Sequence, residues 1–177
     1  MSNILLVSAT SLEHNETDIE GIPIHIVGVG KVQSAINTTN LIKKYNPDVV
    51  VNFGSCGNLK HYPSGEVFEI GTVYDDFYGC VVPEHEPITL TESKYKLFTT
   101  DTFYDKDAVF SNHYTSMIRT CDFVDMEGYS IAVSCNIENK LLYCYKWVSD
   151  DGDRNSWEEN AAIGFNNFKK LFKTKFL

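Results

Sequence analysis

Residues 22–54 read IPIHIVGVG, KVQSAINTTNLIKKY and NPDVVVNFG in succession, and no other stretch constrains the fold as much. The first segment is apolar and closes on Gly28 and Gly30. The second places Val32, Ala35, Ile36, Thr39 and Ile42 near helical spacing, which predicts an amphipathic helix over 31–45 with those residues on its apolar side. Pro47 ends it, because a proline has no N–H to continue the helical ladder, and the apolar run that follows reads as a buried strand. Strand, helix and strand in this order form a crossover unit. Two strands joined that way lie parallel in one sheet, so the chain is expected to be an α/β protein.

The other segments extend that sheet. Ile4–Val7 (ILLV) is a short continuous apolar run, the mark of a buried strand, and GEVFEIGTVYDDFYGCVV (65–82) is β-like with glycine punctuation. Residues 83–100 carry two prolines and read as a loop with a short strand. Within 108–125 a short helix precedes a strand ending on Val124 and Asp125. GYSIAVSCNI (128–137) reads as a helix and LLYCYKWVSD (141–150) as a strand. Ser156-Trp157-Glu158-Glu159 has the capping-box pattern, opening a last helix whose one face carries Trp157, Ala161, Phe165, Phe168 and Phe172. Neither repeat nor linker interrupts the chain. The expectation is one domain over residues 1–177, a central mixed, twisted sheet flanked by helices.

Composition narrows the partners. A formal net charge of −9 argues against nucleic acid, which needs basic patches to neutralise phosphate. The basic cluster at Lys169, Lys170, Lys173 and Lys175 reads as a solvated helix face near a C-terminus. Five cysteines with no CxxC pair suit neither a disulfide framework nor a zinc site, and no metal or cofactor is expected. No segment is long enough to cross a membrane as a helix, and the N-terminal run lacks a basic flank, so a reduced, cytoplasmic protein is expected.

Ligands of α/β sheets gather beyond the carboxyl ends of strands, so the residues after each apolar run are the candidates. These are Glu13 in SATSLEH, then Gly54-Ser55-Cys56-Gly57-Asn58, then Asp125-Met126-Glu127, then Ser149-Asp150-Asp151. Each has a plainer reading. The glycines suit a tight turn, Glu13 with His14 suits a surface pair, and the SDDGD run suits a solvated turn without EF-hand spacing. Cys56 as a nucleophile would need a histidine partner, and the histidines are scattered singly. Acids at three strand ends and glycines at a fourth nevertheless describe a convergent site.

Taken in order, these segments resemble the nucleoside phosphorylase superfamily, in particular its methylthioadenosine/S-adenosylhomocysteine nucleosidase branch. The resemblance is carried by Gly28-Val29-Gly30-Lys31-Val32, Asn52-Phe53-Gly54-Ser55-Cys56-Gly57, Val124-Asp125-Met126-Glu127-Gly128 and Val148-Ser149-Asp150, with Thr100-Asp101-Thr102-Phe103 as a weaker match. It implies cleavage of the N-glycosidic bond of a purine nucleoside, and a homodimer or other homo-oligomer. By resemblance Asp150 is the acid that protonates purine N7, oriented by Ser149, and Glu13 is the base for water. Glu127 accepts hydrogen bonds from the ribose hydroxyls and Met126 packs on the sugar. Phe103 stacks on the purine, the Tyr104 backbone reads the base edge, and Ser55 and Gly57 line the sugar side. Trp157 takes the place of an aromatic that covers the 5′ substituent. Asp125 is expected to be a structural acid.

Water is the expected nucleophile. Phosphorylases of the superfamily hold phosphate with arginines, one of them two residues before the GSCG segment, where this chain has Asn52. Arg119 and Arg154 are the only arginines, and a phosphate dianion without a guanidinium clamp binds poorly. The alternatives are a phosphate-dependent phosphorylase and a nucleoside-binding relative that does not cleave. Retention of Glu13, Glu127 and Asp150 together speaks against the last, since a binder has no need of both a base and an acid. The chain is shorter than typical family members around residues 78–100, where the resemblance places part of the subunit interface.

Overall fold

The computed structural model describes residues 3–77, 85–109 and 111–177. Strands β1 (Ile4–Ser8), β2 (Asp18–Ile19) and β3 (Ile22–Ile26) are followed by helix α1 (Lys31–Tyr45) and the long strand β4 (Val49–Asn58). Then come β5 (Val67–Asp75), β6 (Ile88–Thr89), β7 (Tyr95–Thr99), α2 (Asn112–Thr120), β8 (Phe123–Asp125) and α3 (Gly128–Ile137). Strand β9 (Leu141–Asp150) and helices α4 (Arg154–Asn160) and α5 (Phe165–Phe176) complete the chain. A 3₁₀ turn, Ser11–Glu13, follows β1.

The sheet is mixed, as expected. β1 lies parallel to both β3 and β4, which is the crossover unit read from the sequence. Beyond β4 the sheet closes on itself: β4 pairs with β8, β8 with β7, β7 with β5, β5 with β9, and β9 with β4. Five strands thus form a ring, and β4 belongs to both the open sheet and the ring. Closure removes free strand edges at this point and brings the carboxyl ends of β4, β8 and β9 together.

Alternation along β9 builds both cores. Leu142, Cys144 and Val148 face a cluster shared with Ile42 of α1 and with Ile131, Ala132 and Cys135 of α3. Tyr145 and Trp147 face the opposite cluster, where Phe165, Phe168 and Phe172 of α5 pack on Val51 and Phe53. Phe53 and Phe168 stack with centroids 4.5 Å apart. Each such ring removed from water stabilises the fold by about 1.5–3 kcal/mol.

Three expectations need correction. First, Val32 and Ile36 of α1 are exposed, at 70% and 57%, and the helix buries Ser34, Thr38 and Ile42 instead. Those three fall at i, i+4 and i+8, so small polar residues form the packed stripe. α1 approaches α3 along it, through Ser130 and Ser134, where larger side chains would hold the helices apart. Second, GSCGN is no turn, since Gly54 to Asn58 continue β4 in pairing with β9 and β8. Third, the last helix is two. Asp153, whose side chain accepts from Ser156 N, caps α4 in place of the expected Ser156 box. The chain breaks at Ala161–Gly164 because Trp147 donates its indole N–H to the Ala161 carbonyl (2.8 Å) and its ring fills the space a Gly164 side chain would need. The basic residues of α5 are also less free than a solvated face implies, with Lys169, Lys173 and Lys175 paired to Glu16, Glu20 and Glu69. Residues 78–82 of the expected β segment lie outside the described residues.

Candidate active site

The strand ends enclose a cavity of about 290 Å³. Glu13, Ser55, Gly57, Phe103, Tyr104, Met126, Glu127, Asp150 and Trp157 all line it. Ser149 does not, but it touches Asp150 from behind.

Glu13 is no surface residue. It is 4% exposed, because the 3₁₀ turn after β1 folds its side chain under the sheet edge. One oxygen accepts Ser55 N (2.7 Å) and Ser55 Oγ (2.8 Å), the other Ser8 Oγ (2.7 Å) and Ala9 N (3.2 Å). Four donors fix the carboxyl group in one orientation. Gly54 is required here: a Cβ on it would lie 2.6 Å from the carboxylate. Trp157 donates its indole N–H to Ser55 Oγ at 3.1 Å, which ties α4 to the same corner.

Asp150 closes β9. The pairing of β9 with β4 shifts between Cys56 and Gly57, where Val148 faces Cys56 and Asp150 faces Gly57. Ser149 is therefore the extra residue of a bulge, a device that re-aims the next side chain. Asp150 accepts Ser149 Oγ (2.8 Å) and Gly152 N (2.8 Å). Burial pushes its pKa above the ordinary carboxyl value, against the lowering pull of those two bonds. Ser149 Oγ also reaches the Cys56 carbonyl at 3.2 Å. When Asp150 is protonated, the serine can give its proton to that carbonyl and accept from the acid, so both charge states are accommodated. The neighbouring Asp151 points outward to Lys106 (3.4 Å) and lines no part of the cavity.

Glu127 precedes α3 and is buried. Gly30 N–H, at the start of α1, donates to it at 2.9 Å. Its pKa is raised to about 8, first by burial and then by the charge of Asp125, with Glu13 adding to the rise and Lys146 opposing it. The folded chain therefore holds this proton from the ordinary carboxyl range up to about pH 8, while the unfolded chain releases it. Stability is expected to fall as pH rises through that window, and the Glu127→Gln variant should show a shallower fall in thermal unfolding followed across it.

Comparisons with known proteins bear on the sequence and the fold. A family model described as the phosphorylase superfamily matches residues 19–96. The chain is similar to 5′-methylthioadenosine/S-adenosylhomocysteine nucleosidases of Staphylococcus carnosus (46% identity over 44 residues) and an Exiguobacterium strain (61% over 33 residues). Those stretches cover 25% and 19% of this chain, and only 19% and 14% of the relatives' own lengths. Over the whole fold, the futalosine hydrolase of Helicobacter pylori superposes with a TM-score of 0.80 at 16% identity, covering 98% of this chain and 96% of that one. A methylthioadenosine/S-adenosylhomocysteine nucleosidase of Colwellia psychrerythraea, in complex with adenine, gives 0.79 at 18% identity, covering 97% and 93%.

The chain has the fold of these solved structures.

Within this site, two features escaped the sequence reading. Lys146, in the middle of β9, is 1% exposed and pairs with Asp125 at 2.9 Å. Asp125 also accepts Thr99 Oγ1 (2.7 Å) and Gly128 N (2.9 Å), and it lines the cavity as one half of this buried ion pair. A lone lysine in the apolar run LLYCYKWV, on the side of Cys144 and Val148, was the available signal. Arg154 at the start of α4 is the other. It is the cation among the lining residues and is paired with Glu158 at 3.5 Å; as an exposed residue four positions past Asp150, nothing in its local pattern marks it. Cys56 lines the cavity with its thiol pKa pushed well up by burial, which makes it a poor nucleophile.

Proposed function

We propose that the protein hydrolyses the N-glycosidic bond of a purine nucleoside, 5′-methylthioadenosine, S-adenosylhomocysteine or a related adenosine derivative, giving free base and sugar. The observation that carries this reading is one cavity lined both by Asp150, whose carboxyl pKa burial raises, and by Glu13, whose carboxyl group accepts from four donors. As the bond breaks, the leaving purine gathers negative charge and the sugar becomes oxocarbenium-like. Asp150 then gives its proton to N7, Phe103 stacks on the base beside the Tyr104 backbone, and Glu127 with Met126 holds the ribose. Glu13 aligns the water for attack on the sugar carbon and takes the proton that the water gives up. The resemblance in name of the nucleosidase relatives supports the substrate class.

Water rather than phosphate fits the lining. Asn52 spends its amide inside the sheet, donating to the Val7 carbonyl (3.3 Å) and accepting from Cys144, and Arg154 is engaged with Glu158. Incubation with methylthioadenosine, adenosylhomocysteine, adenosine, inosine and AMP, with and without phosphate, tests both points. Free base at a rate indifferent to phosphate is expected; no base from any of them overturns the proposal, and phosphate dependence reassigns the nucleophile. Activity is expected to decline as pH rises through the raised Asp150 pKa, since the acid form is the working one.

The exposed apolar residues Leu12, Val29, Val32 and Ile36 suit the face of a homo-oligomer, and Val29 also lines the cavity. A reducing cytoplasm suits the free, buried thiols of Cys56, Cys121, Cys135 and Cys144. Among the described residues no helix is long and apolar enough to cross a membrane.

A further inference from the structure

We infer that Ser34 and Ser130, which do not themselves line the cavity, are positioning residues that hold the Gly30 N–H on the Glu127 carboxyl group. The two hydroxyls meet at 2.6 Å in the seam between α1 and α3. Ser34 Oγ also lies 2.8 Å from the Gly30 carbonyl, and Ser130 Oγ 2.7 Å from the Glu127 carbonyl. Gly30 N in turn donates to Glu127 Oε1 at 2.9 Å. The contacts make a closed circuit: Glu127 carboxylate, Gly30, Ser34, Ser130, and back to the Glu127 backbone. Both ends of Glu127 are thereby referred to the same point on α1.

Proton bookkeeping shows what the circuit does. Ser34 Oγ also lies 3.3 Å from the Lys31 carbonyl, so two hydroxyl protons serve four contacts: one proton lies between the serine oxygens and the other reaches the carbonyls on one side at a time. Neither the Gly30 nor the Glu127 carbonyl is orphaned by losing it, because Gly30 O keeps Ser34 N (3.2 Å) and Glu127 O keeps Ile131 N (3.0 Å). The serines are thus unnecessary for satisfying the helix starts. Their use is to register one helix start against the other. Gly30 adopts φ +88°, open to glycine but strained for other residues, so the N–H direction at this turn depends on what holds the turn. Lys31 anchors its far side, with its backbone N–H on Asp101 and its ammonium on Asp75 and Asp76. The serine pair anchors the side that faces α3.

This inference rests on Glu127 being the sugar grip, and its test is chosen so that the two can fail separately. The double variant Ser34→Ala/Ser130→Ala removes both partners of the buried contact, which leaves no unpaired hydroxyl and lets the chain fold. The Glu127 carboxyl is followed by ¹³C NMR titration, assigned by its absence in Glu127→Gln, a readout that needs no activity. The Gly30 bond lowers the Glu127 pKa, against burial, Asp125 and Glu13, which raise it, while Lys146 acts with Gly30. Loosening that bond is expected to move the titration midpoint upward. An unchanged midpoint in the folded double variant overturns the inference, whether or not the wild type releases base.

A kinetic arm reads the same link through substrate. The double variant is expected to lose about three- to tenfold in kcat/KM with a ribosyl nucleoside. That loss should shrink toward nothing with analogues lacking the 2′- or 3′-hydroxyl that Glu127 holds. An equal loss with all of them would mean that the serines serve only general packing, and would overturn the positioning role.

Discussion

Asp150→Asn should abolish base release while leaving nucleoside binding largely in place. Asparagine keeps the shape and can still accept from Gly152 N, so the bulge at the end of β9 survives. What it lacks is a transferable proton. General acid catalysis by one group is worth about a hundred- to ten-thousandfold, and the purine is a poor leaving group without it, so the loss should lie at the upper end. Binding measured calorimetrically should change by less than tenfold, because the proposed stack on Phe103 and the proposed sugar contacts at Glu127 do not involve this proton. Turnover within tenfold of wild type would remove Asp150 as the acid, and Asp151→Asn, which changes an outward-facing residue, serves as the control expected to keep full activity.

The largest effect on stability is expected from Lys146→Met. The substitution keeps the length of the side chain and removes its charge, leaving Asp125 buried with two neutral donors and no cation. Breaking one side of a buried ion pair costs about 3–5 kcal/mol, a large share of the roughly 5–15 kcal/mol that holds a typical domain together. The damage should be non-additive. Adding Asp125→Asn to Lys146→Met removes the stranded charge, keeps an acceptor for Thr99 and Gly128, and should recover much of the loss in urea unfolding. Independent effects that simply summed would show that the pair contributes no coupling. Because Asp125 raises the Glu127 pKa and Lys146 lowers it, the single variant should also push Glu127 further from ionisation.

The crossover unit was legible because its punctuation is local. Gly30 and Pro47 bracket α1, and the helix runs from Lys31 to Tyr45 as read. The face it buries was not legible, because hydrophobic spacing measures transfer from water while the α1–α3 seam selects for size. Val32 and Ile36 carry the stronger apolar signal, yet Ser34 and Thr38 make the closer helix contact. The glycines of GSCG show the same ambiguity from the other side. A glycine can mean a turn or a close approach, and only the folded position of Glu13 against Gly54 tells them apart. Ser55, Glu127 and Asp150 could be picked out as candidates because they lie at or just past apolar runs, whereas Trp157 sits inside a helix, and all four line the cavity. That Ser149 is a bulge residue, or that a lysine underlies Asp125, depends on pairing between strands distant in sequence, which no window reports.

The strand ring has a consequence in time. β4 meets its partner β9 only after some ninety residues of intervening chain have been made, and β9 brings Lys146, Ser149 and Asp150 with it. Until that strand docks, Asp125 has no cation, the ring is open, and Glu127 faces a half-built wall. Such long-range closure is slow and comes late in folding. A nascent chain can therefore complete its crossover unit and place Glu13 and Glu127 well before it has Asp150, and the proposed acid arrives in a single step with the last strand.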